Sequence, residues 1–143
     1  LAFTRRLIRL RADHPVLRRR TFFLGRGIRG EHVTDIMWLD PDGREMTDAA
    51  WNAPHARALG VMLAGDAIPE VDERGEPIRD DTLLVLFNAG ESPLAFTLPA
   101  APAGLSWDVV LDTNGGSLVP GSRVSAAAYE LGDRSLAVLR PAP

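Results

Sequence analysis

The apolar residues at the start of the chain recur with the period of an α-helix. At ~100° per residue, residues 1–12 place Phe3, Leu7 and Leu10 on one stripe and Leu1, Ile8 and Ala12 on a second. Pro15 ends this pattern, because the residue before a proline is disfavoured in helical geometry. A helix with two apolar stripes needs partners on two sides, so we predict a helix that packs between two bodies.

After residues 18–20 the pattern changes to short apolar runs separated by turn residues. It predicts strands at residues 35–39, 58–64, 82–88, 94–98, 106–112, 122–131 and 135–140. Turn residues such as Pro41-Asp42-Gly43 lie between them, and Asn88-Ala89-Gly90-Glu91 predicts a hairpin. No helical pattern alternates with these strands, which favours antiparallel pairing. The predicted fold class is therefore all-β: an antiparallel β-sandwich of about seven to eight strands, preceded by one amino-terminal helix.

Basic residues are concentrated near the start of the chain. All 16 are arginine; residues 1–30 carry a formal charge of +8 and residues 31–143 carry −11, which gives the net charge of −3. A basic arm on an acidic body occurs in nucleic-acid-binding proteins, but no motif of such a fold accompanies these arginines. We interpret them as a solvated helix face that is balanced within the molecule, and we expect no nucleic-acid partner.

Several classes of protein are disfavoured by composition. No apolar run approaches the ~18–20 residues that cross a bilayer, so we expect no membrane partner. The chain has no cysteine, which excludes disulfides and thiolate metal sites and fits a cytoplasmic location. The arginines among residues 1–12 are unlike a signal peptide. Leu1 already lies inside a helical pattern, which indicates a segment of a longer protein.

The acidic residues do not form a recognisable catalytic pair. Glycoside hydrolysis needs two carboxyl groups held across a cleft, one of them kept protonated by burial. The candidate pairs are Asp72-Glu73, Asp80-Asp81 and Asp40/Asp42. All lie in turn-forming sequence, where water keeps both carboxylates ionised. We therefore predict solvated turns and no catalytic residue in this chain.

Metal and cofactor motifs are not recognisable either. His14, His32 and His55 lack metal-ligand spacing, so we interpret them as surface or boundary residues. The run from Asp40 to Gly43 differs from a calcium loop, because its glycine comes too early and no glutamate closes it; a β-turn is favoured. The run 114–117 lacks the helix that usually follows an anion-binding glycine turn. We expect no metal and no cofactor.

Four aromatic residues are candidates for a platform on which sugar rings stack. They are Trp38, Trp51, Trp107 and Tyr129. Trp38 and Trp107 lie inside strand patterns, which favours core packing. Trp51 follows a polar run in a loop, so Trp51 is the candidate glycan or interdomain contact, although a capping role over the sandwich is the stronger interpretation.

Several stretches together resemble the carboxy-terminal region of bacterial glycogen-debranching enzymes, the isoamylase-like branch of the α-amylase superfamily. The most specific match is residues 35–39 leading into 41–48 and Trp51; residues 3–11, 14–20, 22–23, 58–61, 65–66 and 80–89 follow the same order. The resemblance covers residues 1–112 and fades beyond them. Gly90 and Glu91 depart from it, because the family commonly has histidines at that turn.

This resemblance implies an enzyme that hydrolyses α-1,6-glucosidic branch points in glycogen and limit dextrins. Residues 1–20 would be the final helix of its catalytic (β/α)8 barrel and the exit segment, and residues 21–143 the carboxy-terminal β-sandwich. The catalytic carboxylates would lie upstream, so no site residue is transferred to this chain. The implied partners are the chain's own barrel, through Phe3, Leu7 and Leu10, and glycogen or limit dextrin through the parent enzyme.

Two alternatives remain at this point. One keeps the superfamily and changes the reaction, to a related amylase or an enzyme acting on maltooligosyl trehalose. The other is a free-standing sugar-binding or interaction module of immunoglobulin-like fold. Such a module predicts a helix with one apolar stripe and measurable affinity for glycans, and the two-striped helix counts against it.

Overall fold

The chain begins with the predicted helix. In the computed structural model, which describes residues 1–25, 34–114, 121–124 and 127–143, α1 spans Ala2–Asp13. His14 then becomes extended (φ −110°, ψ 99°), and a short 3-10 helix, Pro15–Arg18, begins at the proline. Pro15 therefore ends the helix as expected, because its ring excludes helical geometry at the preceding residue.

Eight strands lie in the described residues, and their bounds follow the predicted runs closely. They are β1 Ile36–Leu39, β2 Ala58–Leu63, β3 Leu83–Asn88, β4 Leu94–Thr97, β5 Ser106–Asp112, β6 Ser122–Val124, β7 Ala128–Leu131 and β8 Ser135–Ala142. A six-stranded sheet has the order β1-β2-β3-β8-β5-β6, and a second sheet pairs β4 with β7. The pairs β3–β8, β5–β8, β5–β6 and β4–β7 are antiparallel. The all-β antiparallel prediction is confirmed.

One hydrophobic core lies between the two sheets. β5 alternates strictly, with Trp107, Val109 and Leu111 buried and the residues between them partly exposed. Phe96 of β4 and Leu131 of β7 belong to the same buried cluster as residues of the six-stranded sheet. Side chains from both sheets therefore fill one layer, which is the arrangement of a β-sandwich.

The predicted strand at residues 122–131 is wrong as a single element. β6 pairs with β5 in the large sheet, with Val124 opposite Trp107, whereas β7 pairs with β4, with Tyr129 opposite Phe96. The run 122–131 contains no glycine, proline, asparagine or aspartate, so its sequence gives no turn signal at the point where the chain changes sheets.

The predicted hairpin at residues 88–91 is also wrong. β3 pairs with β8, whereas β4 lies in the other sheet. The side chain of Asn88 forms three hydrogen bonds where the chain passes from β3 in one sheet to β4 in the other. Its amide N–H groups donate to the carbonyls of Ser92 and Gly132, and its carbonyl oxygen accepts from the N–H of Gly90. An asparagine side chain that bonds local backbone produces the turn signal without a hairpin.

The β-turn predicted after β1 is present. The N–H of Gly43 donates to the carbonyl of Asp40 at 3.0 Å, and Gly43 has a φ of +77°. A Cβ at this position would lie 2.6 Å from the carbonyl oxygen of Thr97. Glycine is therefore required for two reasons, its backbone conformation and the close approach of the last residue of β4. A one-turn helix, α2 Asp48–Trp51, follows.

The chain divides into two compact units. The first consists of Leu1–Ile36 and Leu63–Thr82, and the second of Met37–Met62 and Leu83–Pro143. The sandwich core belongs to the second unit. The first unit holds α1, the segment after it and the long connection between β2 and β3. Among the described residues, no helix is long and apolar enough to span a membrane.

Candidate functional site

Two tryptophans meet on the surface of the second unit. Trp38 lies on β1 and Trp51 at the end of α2, and their rings are 5.5 Å apart between centroids at an interplanar angle of 72°. Trp38 is 40% exposed and Trp51 49% exposed. The core assignment of Trp38 is therefore wrong: all four residues of β1 are apolar, and the strand turns Leu39 rather than Trp38 into the core.

α2 fixes the position of Trp51. The hydroxyl of Thr47 accepts a hydrogen bond from the N–H of Ala50 at 3.2 Å and so caps the first turn. The N–H of Met46 donates to the carbonyl of Trp38 at 2.8 Å, which ties the segment before α2 to β1. Sequence reasoning identified Trp51 as a candidate contact but did not find that Trp38 lies against it.

The other two aromatic candidates are core residues. Trp107 is buried, and its indole N–H donates to the carbonyl of Pro99 at 2.8 Å. Tyr129 is buried and donates to a carboxylate oxygen of Asp112 at 2.5 Å. Burial, together with the neighbouring Asp112 carboxylate, raises the pKa of Tyr129 well above its usual range. The core assignment of Trp107 is confirmed, and neither ring is available to a ligand.

A cavity of about 380 Å³ lies in the second unit, and neither tryptophan lines it. Its wall includes Asp40, two residues beyond Trp38, and Ala50, the neighbour of Trp51. His55 and Arg57 also line it, and within the described parts of the chain neither side chain makes a hydrogen bond or ion pair. The remaining lining residues are mostly apolar: Pro41, Met46, Ala53, Ala56, Ala58, Asn88, Gly90, Ser92, Pro93 and Leu94.

The side chain of Asp80 is largely buried against His14, so the prediction of a solvated turn is wrong for Asp80, whereas Asp81 is exposed. One carboxylate oxygen of Asp80 lies 2.9 Å from Nδ1 of His14, and the other accepts from the N–H of Val16 at 3.0 Å. Both side chains are nearly inaccessible, so His14 is not a surface residue either. The two residues are 66 positions apart, which is why no local pattern predicted the pair.

His14, Asp80 and Asp81 together offer three potential metal ligands whose atoms lie within 4.8 Å of one another. Both oxygens of Asp80 already accept hydrogen bonds from the protein, including one from the N–H of Asp81. This bonding fits an anchor for the segment after α1, and we assign no metal to it. His55 is exposed, and His32 lies outside the described residues.

Asp35 is a second buried carboxylate that sequence reasoning did not single out. The guanidinium of Arg19 donates to it at 3.0 Å and stacks on the ring of Phe23 at 4.1 Å. The N–H groups of Leu24 and Gly25 also donate to Asp35. Burial alone would raise the pKa of Asp35, but these hydrogen bonds and the Arg19 charge together lower it below its usual value.

Glu70 binds the backbone immediately after Arg19 in a similar way. One of its carboxylate oxygens accepts from the N–H groups of Arg20 and Thr21 and from the Thr21 hydroxyl, at 2.8 to 3.0 Å. Burial raises the pKa of Glu70, but these donors outweigh burial and lower it. Three carboxylates, those of Asp35, Glu70 and Asp80, therefore hold the segment that follows α1.

The remaining acid pairs lie in turns, as predicted. Asp72 accepts from the N–H groups of Arg74 and Glu76, and Asp40 accepts from the N–H of Arg44. Asp72, Glu73 and Asp42 are exposed. The glycine turn at residues 114–117 lies outside the described residues except for Asn114.

The apolar side chains of α1 are exposed. All residues of α1 are described, and no side chain of this helix is buried. Phe3 is 49% exposed, Leu7 37% and Ile8 64%. Phe22 and Leu24, in the segment after the helix, are exposed as well. Monomeric proteins rarely leave contiguous apolar surface of this kind uncovered.

Residues 35–140 match the family described as "Isoamylase, C-terminal". The chain is 45% identical over 115 residues, 80% of its length, to a "Glycogen operon protein GlgX homolog" of Mycobacterium tuberculosis. It is 29% identical over 111 residues, 78% of its length, to an isoamylase of Pseudomonas amyloderamosa.

The chain spans only a small fraction of these relatives. It corresponds to 16% of the length of the GlgX homolog and 12% of that of the isoamylase. An inactive double mutant of MutB, solved in complex with isomaltulose, aligns with 99% of this chain and 17% of its own, at 17% identity and a TM-score of 0.49.

Proposed function

The chain belongs to the isoamylase C-terminal family, and from this membership we propose that it is the carboxy-terminal domain of a glycogen-debranching enzyme. The parent enzyme would hydrolyse α-1,6-glucosidic branch linkages in glycogen and limit dextrins. The observation that carries the proposal is the 45% identity, over 80% of the chain, to a glycogen operon protein. Because the chain corresponds to 16% of that relative, the proposal assigns it one domain of the enzyme.

The domain itself is non-catalytic. A glycosidase needs one carboxyl group whose pKa is raised so that it can act as an acid. Asp35, which is buried, and Glu70, which is partly exposed, have lowered pKa values and accept hydrogen bonds from the backbone. Asp80 is likewise bonded on both oxygens. The lowered pKa values keep Asp35 and Glu70 ionised, and all three carboxylates bind backbone N–H groups, which suits a scaffold.

α1 would contact the catalytic barrel. Residues 1–20 would be the last barrel helix and exit segment, and residues 21–143 the terminal sandwich. Phe3 and Leu7 are exposed and Leu10 partly exposed, and burying each such side chain stabilises by ~1.5–3 kcal/mol. A barrel covering this stripe would remove the apolar surface from water, so the domain would stabilise the barrel and be stabilised by it.

The exit segment would connect α1 to the rest of the first compact unit. His14 and Val16 bind Asp80, and Arg19 binds Asp35, all within the first compact unit. The boundary proposed at residue 20 lies inside this unit, so the helix and the connection between β2 and β3 would act together as the base on which the barrel sits.

The test is a paired assay of the 143-residue chain and the full-length protein that contains it. The full-length protein should release linear maltooligosaccharides from glycogen and limit dextrin and leave linear amylose intact. The chain alone should release no reducing ends above a buffer blank. Cleavage of amylose would favour the related amylase instead. Turnover by the chain that disappeared in Asp80→Asn or Asp81→Asn would contradict the scaffold role.

A further inference from the structure

Two of the chain's three tryptophans are at the surface and touch each other. Exposing an indole forfeits the favourable burial that large aromatic side chains normally gain. A single exposed tryptophan needs no explanation, but two exposed tryptophans in contact form an apolar patch of the kind that marks an interaction site.

The geometry of the pair selects among such ligands. At 72° between their planes, the two indoles form a corner rather than a flat platform. A flat, ribbon-like glucan chain stacks on coplanar rings, whereas an α-1,4-linked chain curves and turns successive glucose units to different orientations. The apolar C–H face of one unit can lie on Trp51 while the next meets Trp38, held by the attraction between C–H groups and the negative faces of the rings.

The cavity lined by Asp40 and Ala50, the chain neighbours of the two tryptophans, also holds polar groups that can bind a sugar. A stacked glucose unit presents an apolar face and a rim of hydroxyls. His55 and Arg57 line the cavity without a partner among the described residues, and Asp40 adds a carboxylate. These side chains can donate to and accept from hydroxyls, and bonds to charged groups are the stronger kind. A purely apolar protein contact would leave Arg57 and His55 unpaired.

We propose that Trp38 and Trp51, together with the cavity that their chain neighbours Asp40 and Ala50 line, form a binding site for a curved α-1,4-glucan segment, such as an outer chain of glycogen. The proposal extends the function proposed above, on which it rests for the identity of the glucan. The domain would then hold the polysaccharide as well as support the barrel.

The test is affinity electrophoresis of the 143-residue chain in native gels containing soluble glycogen or, as a matched probe, a soluble β-1,4-glucan. Wild-type chain should be retarded by glycogen and not by the β-glucan. Trp51→Ala and Trp38→Ala should each weaken the apparent affinity about tenfold, corresponding to ~1.4 kcal/mol. Phe87→Leu, which alters another exposed aromatic residue of the same unit, should migrate like wild type. Equal thermal unfolding midpoints would show that the variants fold.

Three results would overturn the proposal: no retardation of wild type, equal retardation by the β-glucan, or retardation unchanged in both tryptophan variants. If Trp51 instead contacts another domain of the parent enzyme, Trp51→Ala should lower the unfolding temperature of the full-length protein by several degrees. In that case the chain alone should not bind glycogen. Retardation in the gel requires no catalysis. The binding result can therefore be interpreted even if the debranching assay fails.

Discussion

Asp35 shows how a buried charge can organise a segment without taking part in chemistry. Its carboxylate accepts from the Arg19 guanidinium and from the N–H groups of Leu24 and Gly25. A charge in this position is costly to desolvate unless each oxygen is bonded, and here it is. These bonds hold Arg19, Leu24 and Gly25 at the carboxylate of Asp35, immediately before β1.

Replacing Asp35 with asparagine should therefore lower the free energy of unfolding by ~3–5 kcal/mol at neutral pH, because Arg19 would remain buried without its counter-charge. Urea denaturation followed by far-UV circular dichroism measures this. Asp42→Asn, at an exposed turn position, is the matched control and should change stability by less than ~0.5 kcal/mol.

The ion pair between Asp35 and Arg19 also predicts that the free energy of unfolding depends on pH. The folded pKa of Asp35 is lowered from its ordinary value of 3.8, so its stabilisation is fully present above that value and is lost as the pH falls through the folded pKa. The gap in unfolding free energy between wild type and Asp35→Asn should therefore narrow below about pH 4. A gap that stayed constant to about pH 2 would mean that the carboxylate charge contributes nothing.

At the scale of elements, the turn after β1 connects β1, α2 and β4 of the second unit. It leads from Trp38 to α2, and the N–H of Thr97 donates to the carbonyl of Pro41 at 2.8 Å, linking the turn to the end of β4. Gly43 permits this approach through its positive φ and its missing side chain.

Gly43→Ala should cost ~2–3 kcal/mol, since it adds backbone strain and a clash with the Thr97 carbonyl. Gly75→Ala is the informative control. Gly75 also has a positive φ, but an added Cβ there would meet nothing within 4 Å, so only the conformational cost of ~1 kcal/mol remains. Thermal unfolding of both variants gives the comparison. Equal destabilisation would mean that the close approach to Thr97 does not matter.

The elements were predictable to the extent that their signals are local. β5 alternates between buried and partly exposed residues, and Pro15 ends α1, so both were found from the sequence. β1 is apolar throughout, so its pattern does not say which face is buried, and Trp38 was misplaced. The bonds of Asp80 to His14 and of Glu70 to Arg20 join residues far apart in the chain. Such pairs depend on the tertiary path and leave no local trace.

At the scale of the whole molecule, we propose a scaffold whose helix docks on a catalytic barrel. The sandwich has its own core, whereas α1 buries no residue within this chain. Because of this contrast, the contribution of α1 to stability should differ between the chain alone and the full-length protein. A substitution in the exposed stripe should be harmless in the 143-residue chain and damaging in the full-length protein.

Leu7→Asp tests this claim most directly when its effect on unfolding free energy is measured in both proteins. In the chain alone, where Leu7 is 37% exposed, the change should be within ~0.5 kcal/mol. In the full-length protein it should exceed ~3 kcal/mol, because the new carboxylate would be buried unpaired, while the kcat of the folded enzyme stays within a few-fold of wild type. Arg9→Asp, on the arginine side of the helix, should be mild in both. Equal effects of Leu7→Asp in the two proteins, or unchanged stability with lost turnover, would contradict the account.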